Sequence, residues 1–421
     1  MTTRDAIVSV GQRSELTYKY NVMEQRHGWL RLTPAYSVKV VDDLLAAKPE
    51  SMSVLDPFSG TGTTALCASN RGHKAVAVDI NPFLVWFAEV KLDSYGPDLL
   101  EEVKAKAIAV DKAVEDGSVS PAPPPGLFNI DRWWNPDALD YLCRIKKAVS
   151  NLEGMNRQFV NLLKVAFCRT LIRLSNAAFN HQSMSFKKGK EHESQGVLFV
   201  GPKRHEPVFS REVFFVVRSA QLNPRSTATV VQGDSKFVAE VLGKETFDLL
   251  ITSPPYPNRI SYIRELRPYM YWLGFLNEAQ EAAALDWKAT GGTWGSATSR
   301  LSEWQPDDSV PLPEFLRDCV DRISSARNKS GLLLAKYVRK YFEDMWRHIE
   351  SAYNVIKPEG EVHYIVGNSK FYDVLVPVER IYQDMLAQAG YRNVGVKLLR
   401  KRNSKKELYE FDVFGSKRMK T

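Results

Sequence analysis

Two kinds of apolar pattern alternate along this chain. Short apolar runs at 53–56, 74–79, 228–234, 248–252 and 361–367 have the length and β-branched content of buried strands. Between them apolar residues recur at helical spacing, as at Val38, Val41, Leu44 and Leu45, and again at Leu266, Met270, Leu273 and Leu276. Further helices are expected at 63–70, 97–117, 135–152, 156–174, 235–242, 338–355 and 374–388. Two last strands, 393–400 and 407–414, flank the basic turn 401–406. Strands alternating with helices predict an α/β fold. The strand pattern stops from about residue 95 to 225. Helices take over there, joined by the stiff connector Pro121-Ala-Pro-Pro-Pro-Gly126. Trp133 and Trp134 are expected to cap the core of these helices. A second break, 277–335, holds the polar, glycine-rich stretch Gly291-Gly-Thr-Trp-Gly-Ser-Ala-Thr-Ser-Arg300. The breaks divide the chain into 1–95, 96–226, 227–276, 277–335 and 336–421.

Composition narrows the classes. A length of 421 residues allows one catalytic core with insertions, or two domains. No run of about 18 apolar residues occurs, so no transmembrane helix is expected. The amino terminus lacks the apolar segment of a secretory signal. Cys67, Cys143, Cys168 and Cys319 show no paired spacing. Neither a metal site nor a disulfide framework is expected from them, and a reducing cytoplasm fits. The net charge of +8, from 57 basic and 49 acidic residues, suits a polyanionic partner.

Two stretches carry chemistry. In Ser53-Val-Leu-Asp-Pro-Phe-Ser-Gly-Thr-Gly-Thr-Thr64 a strand ends at Asp56 and a glycine turn leads into a helix. Gly60 and Gly62 let the backbone turn sharply and approach a ligand, and the helix start offers unpaired amides. A second strand ends at Asp79, about 20 residues beyond the turn, where an acid can hold ribose hydroxyls. The pattern is neither Gly-x-Gly-x-x-Gly nor a phosphate loop. In Asp248-Leu-Leu-Ile-Thr-Ser-Pro-Pro-Tyr256 a buried strand runs into a turn stiffened by two prolines. That turn lies at the carboxyl end of a strand, where open α/β sheets bind ligands. It presents a hydroxyl, carbonyls and an aromatic face, a set that suits a planar base bearing an exocyclic amine.

Both stretches resemble the S-adenosylmethionine-dependent amino-methyltransferases of DNA, in the Ser-Pro-Pro-Tyr variant linked to cytosine N4. The resemblance covers about 1–95 and 227–276, with weaker agreement from 336 onward. It implies a Rossmann-like class I methyltransferase sheet of seven strands, the last pair an antiparallel hairpin, carrying a mainly helical insertion. On that resemblance Ser253 and the Pro254 carbonyl accept hydrogen bonds from the amine, Pro255 stiffens the turn and Tyr256 stacks on the base. Asp56, Pro57, Phe58, Ser59, Gly60, Thr61, Gly62, Thr63 and Thr64 form the cofactor loop around the methionine end. Asp79 holds the ribose, Pro82 and Phe83 lie along the adenine, Ile80 and Asn81 also bind the cofactor, and Asp234 takes the adenine amino group. His27 and Pro34 would line the methionine end.

A cytosine C5 enzyme needs a Pro-Cys nucleophile, and none of the four cysteines follows a proline. Adenine N6, a guanine N2 in RNA, and DNA binding without turnover remain as alternatives. The expected partner is double-stranded DNA; a cognate restriction endonuclease is a candidate companion whose presence is a matter of neighbouring genes. The expected place is the bacterial or archaeal cytoplasm, at the nucleoid. Lys187, Lys188, Lys190 and Arg259 are candidate phosphate contacts. Target recognition is expected in 127–226, helped by 277–335.

Overall fold

Seven strands make the central sheet of the computed structural model, which describes residues 11, 13–30, 36–49, 51–178, 185–186, 207–292, 296–326, 330–402 and 407–419. They are β1 (Ser53–Asp56), β2 (Lys74–Asp79), β3 (Ala228–Gln232), β4 (Phe247–Thr252), β5 (Ile356–Gly367), β6 (Tyr391–Lys401) and β7 (Tyr409–Lys417). Their order across the sheet is β3-β2-β1-β4-β5-β7-β6. The first five pair in parallel, while β7 runs antiparallel to both β5 and β6. This is the class I methyltransferase sheet with its closing hairpin. The order reverses between β1 and β4, so the crevice above their carboxyl ends is the place for a ligand.

Unbroken apolar runs make sense here because both faces of the sheet are covered. Along β4, Leu249 and Ile251 join Val54, Ala75 and Ala77 in a core beneath α1 (Val38–Ala46) and α2 (Thr63–Asn70). The alternate residue Leu250 joins Leu55 and Val78 in the core of the opposite face. A separate helical body contains α3 (Pro82–Leu92), α4 (Pro97–Glu115), α5 (Pro136–Ser150), α6 (Arg157–Arg173), α7 (Val208–Ala220) and α8 (Tyr262–Leu273). Trp133 and Trp134 are buried in it, and Trp134 meets Trp272 of α8 edge-on at 5.6 Å. The helix that follows the Ser-Pro-Pro-Tyr turn is therefore anchored in the helical body. Buried Arg26 of the amino-terminal segment joins the ends of α3 and α7, donating to the carbonyls of Lys91 (2.8 Å), Asp93 (2.5 Å) and Ala220 (2.7 Å).

Then come α9 (Ala279–Lys288), α10 (Glu314–Ser324), α11 (Gly331–Val355) and α12 (Val378–Gln388). The helix expected at 374–388 starts only at Val378. Val374–Val376 instead pairs with Ser369–Phe371, and Pro377, without an amide hydrogen, marks the change. Expected helix 338–355 begins earlier, at Gly331, and expected strand 361–367 begins at Ile356. No helix among the described residues is long and apolar enough to cross a membrane.

Where β5 meets β7, buried His363 holds its Nδ1 3.0 Å from Asp412 and its Nε2 3.5 Å from Glu361, which also pairs with Lys48. Burial alone would lower the imidazole pKa, but the two carboxylates outweigh it and raise the value above 6.5. The folded form then holds the proton more tightly than the unfolded chain. That stabilisation is full below the unfolded value and fades as pH rises through the folded one. His363→Gln should therefore cost most stability near pH 6 and less by about pH 8. Thermal melts of both proteins across that window check this, and a pH-independent difference would count against it.

Candidate active site

The glycine loop between β1 and α2 is held from three sides. Gly60 and Gly62 adopt φ of +51° and +73°, in the left-handed region that favours glycine. A Cβ on Gly62 would lie 2.9 Å from the Cβ of Ala88, so α3 can pack close only because glycine is there. Asp79 at the end of β2 accepts from the amides of Gly60 and Asn81, each at 2.8 Å. Burial pushes its pKa up to about 7. Behind the loop, buried Lys91 donates to the Thr61 carbonyl at 2.6 Å, and burial brings its pKa down to about 7. Asp56 does not face the crevice. It is buried, its carboxyl pushed up to about 6, and it accepts from Thr252 Oγ1 at 2.6 Å. Thr64 Oγ1 in turn donates to the Ile251 carbonyl at 3.2 Å. These two bonds tie the glycine loop to the strand that carries the Ser-Pro-Pro-Tyr turn.

A second wall follows β3. Asp234 caps the turn Ser235–Phe237 through the Lys236 amide, and its other oxygen lies 3.1 Å from Lys236 Nζ. The same ammonium donates to the Lys288 carbonyl at 2.8 Å, linking this wall to the end of α9. Ser235 Oγ donates to the Pro57 carbonyl. The Ser235 carbonyl lies 2.8 Å from His348 Nδ1, and His348 Nε2 lies 3.0 Å from the Tyr364 hydroxyl. A carbonyl can only accept, so Nδ1 carries the proton and Nε2 accepts. Burial keeps this ring neutral, bringing its pKa down to about 4. Phe58 packs edge-on against it at 4.7 Å.

The third wall is the Ser253–Tyr256 turn. Ser253 Oγ donates to the Ile365 carbonyl of β5 at 3.1 Å, which commits its hydrogen and leaves its lone pairs for another donor. Pro254 and Pro255 have no amide hydrogen, so the turn offers acceptors. The Tyr256 hydroxyl donates to Glu410 Oε1 at 2.8 Å, fixing the ring.

All three walls line one cavity of about 550 Å³. Of the residues expected on the cofactor side, Phe58, Ser59, Gly60, Thr61, Thr63, Asp79, Ile80, Asn81 and Asp234 line it. So do Ser253, Pro254, Pro255 and Tyr256. Asp56, Pro57, Gly62, Thr64 and Pro82 stand behind the lining, and Phe83 is buried in the core of the helical body instead of along the cavity. His27 does not reach the cavity: it is buried with Nε2 3.8 Å from Cys67 Sγ on α2, and burial holds its pKa well below the usual range. Arg13, Leu16, Thr17 and Lys19 of the amino-terminal segment do line the cavity, with Tyr36. Arg259, at φ +62°, donates its amide to the Tyr337 hydroxyl and does not line the cavity. Pro34, Lys187, Lys188 and Lys190 lie outside the described residues.

The cavity also takes in Lys288, Thr290, Arg400, Lys401, Arg402 and Glu410, which the sequence did not single out for it. The basic turn at 401–406 was the one hint. Buried Ser59 Oγ in the cavity wall has no hydrogen-bond partner among the described residues. That atom, the loop amides, two acids and a volume within the roughly 300–1,000 Å³ of small-molecule sites fit a nucleoside cofactor with a charged tail.

No protein-family model matches the chain. It is 20% identical over 419 residues to the type II methyltransferase M.MvaI of Kocuria varians, covering 93% of this chain and 87% of that one. It is 21% identical over 458 residues to the type II methyltransferase M.BsoBI of Geobacillus stearothermophilus, covering 95% and 85%. The chain is a distant homologue of type II methyltransferases. The type II methyltransferase M.AvaI of Anabaena variabilis is similar at 19% over 409 residues, covering 90% and 82%. Among solved structures, the rRNA methyltransferase aviRa of Streptomyces viridochromogenes aligns with a TM-score of 0.33 at 11% identity, covering 95% and 96%. A likeness that weak adds nothing to the strand order. The homology to type II methyltransferases spans both the glycine loop and the Ser-Pro-Pro-Tyr turn.

Proposed function

We propose that this protein methylates the exocyclic N4 amine of a cytosine extruded from duplex DNA, using S-adenosylmethionine. The observation that carries the reading is the shared cavity: the glycine loop and the Ser253–Tyr256 turn face one space and are joined by the Thr252–Asp56 and Thr64–Ile251 bonds. Gly60, Thr61 and the start of α2 would hold the methionine end, Asp79 the ribose and Asp234 the adenine amine. When bound, that cofactor supplies a methyl group on a sulfonium. Ser253 Oγ and the Pro254 carbonyl accept the hydrogens of the target amine, draw its lone pair out of conjugation and aim it along one line. Catalysis of this kind is mainly orientation. Stacking on Tyr256 offsets part of the few kcal/mol that extruding a base costs.

Target reading is assigned to 127–226, helped by 277–335, with Lys187, Lys188, Lys190 and Arg259 on phosphates. The distant type II methyltransferase relatives support DNA as the substrate. Nucleoside mass spectrometry of DNA incubated with the protein and methyl-labelled S-adenosylmethionine tests the reading. Label is expected in N4-methylcytosine. Label in N6-methyladenine would overturn the choice of base, and label in RNA alone would overturn the choice of substrate.

A further inference from the structure

The ring of Tyr256 is held by more than its own turn. Glu410, buried on β7, takes its hydroxyl hydrogen and is itself fixed by Arg400, whose Nε and Nη2 lie 2.7 and 3.1 Å from the two carboxylate oxygens. The guanidinium of Arg402 stands over the ring with Cζ 4.8 Å from its centroid. It also donates from Nη1 to the Asn368 carbonyl at 3.0 Å. Gly367 makes this possible. A Cβ there would come within 2.3 Å of Arg402 Nη1 and 2.9 Å of Tyr256 Cε2. Gly367, the last residue of β5, thus leaves a bare patch of backbone on which the ring meets the cation that follows β6.

We propose that Arg402 is a positioning residue for the target base, backing one face of Tyr256 while the extruded base stacks on the other. The proposal rests on the base-methylating reading of this cavity and goes beyond it by saying what fixes the stacking surface. A cation over one face is attracted by the ring's π-electrons and opposes tilting. The Glu410 bond opposes rotation of the hydroxyl end. A ring already fixed in this way loses little further freedom when a base lies on it, so more of the stacking energy remains for binding. Arginine suits the place because a flat guanidinium can cover a ring and still donate sideways to Asn368. A lysine ammonium is a point charge and does one or the other.

The test uses the full chain and a duplex that the wild-type protein labels, unmethylated at the target amine, with 2-aminopurine at the target position in a parallel set. Arg402→Ala should raise KM for DNA about five- to tenfold, more than it lowers kcat, and should weaken the fluorescence rise that reports extrusion. Affinity for S-adenosylmethionine and the melting temperature with cofactor should stay at wild-type values. Arg402→Lys should recover part of the loss. Gly367→Ala, which pushes cation and ring apart, should mimic the alanine variant. Wild-type KM and fluorescence in Arg402→Ala would overturn the proposal. So would a lowered KM, which would place the guanidinium on the face the base itself needs. If wild-type protein labelled no DNA, the methyltransferase reading would fall as well; labelling with an unaffected variant removes only the role of Arg402.

Discussion

Replacing Ser253 by alanine should lower the rate of methyl transfer about a hundredfold while leaving cofactor affinity unchanged. The hydroxyl gives its hydrogen to the Ile365 carbonyl, so what it offers the cavity is an acceptor. On the proposed function, removing one of two acceptors would free the target amine to turn and restore its conjugation with the ring. Misplacement of a reacting atom by about an ångström costs on the order of 10²-fold. Tyr256→Ala should be at least as damaging, because base stacking is lost as well. Tyr256→Phe keeps the stacking face and loses only the bond to Glu410, so its loss should stay within about tenfold. Single-turnover kinetics at saturating cofactor, beside calorimetric titration of S-adenosylmethionine, separates the two effects. A Ser253→Ala protein with a wild-type rate would remove the hydroxyl from the mechanism.

The same turn shows why part of this site could be read from the sequence. Each of its demands is local. A proline pair sets the backbone, and an apolar run before it declares the strand end. The glycine loop is equally local, since positive φ at residues 60 and 62 and the acid of the next strand fall within one β-α-β unit. The alternation of strands and helices likewise carried the parallel half of the sheet, and two strands around a basic turn carried the hairpin.

What escaped is built from long-range packing. Arg402 reaches Tyr256 only because β5 lies between β4 and β7 and lacks a side chain at Gly367. Glu410 reads as an ordinary strand residue until the sheet pairs it with Gly367. His27 failed in the opposite sense. A histidine ahead of the first helix looks available for a ligand, but the fold turns it inward against Cys67, while residues of the segment around Arg13–Lys19 line the cavity. No local pattern separates those outcomes, because both segments are polar with scattered apolar residues. The 374–388 helix is a milder case. Its apolar spacing continues through Val374 and Val376, but Pro377 lets those residues pair with Ser369–Phe371 instead.

Asp79→Asn should weaken S-adenosylmethionine binding about 10- to 100-fold, nearly as much as Asp79→Ala. The carboxylate meets two amide donors, Gly60 and Asn81, with one oxygen each at 2.8 Å. A carboxamide has a single oxygen, so its NH₂ group must confront one of those amides. Either the Gly60 amide is left without its acceptor, and the loop opens at its tightest turn, or Asn81 is displaced and Phe83 loses the Asn81 side-chain cap at the start of α3. A hydrogen bond to a charged group contributes roughly 1.5–3 kcal/mol, which is about one to two powers of ten in affinity. The loop also bears on Gly62, whose close contact with Ala88 leaves no slack in the direction of α3. Disturbance at Gly60 is therefore expected to reach the amides at the start of α2. Calorimetric titration with S-adenosylmethionine, alongside thermal melts without it, checks the expectation. If the asparagine variant bound as well as wild type, Asp79 would be a packing residue, and the ribose contact would have to be sought on Asp234 or Asn81.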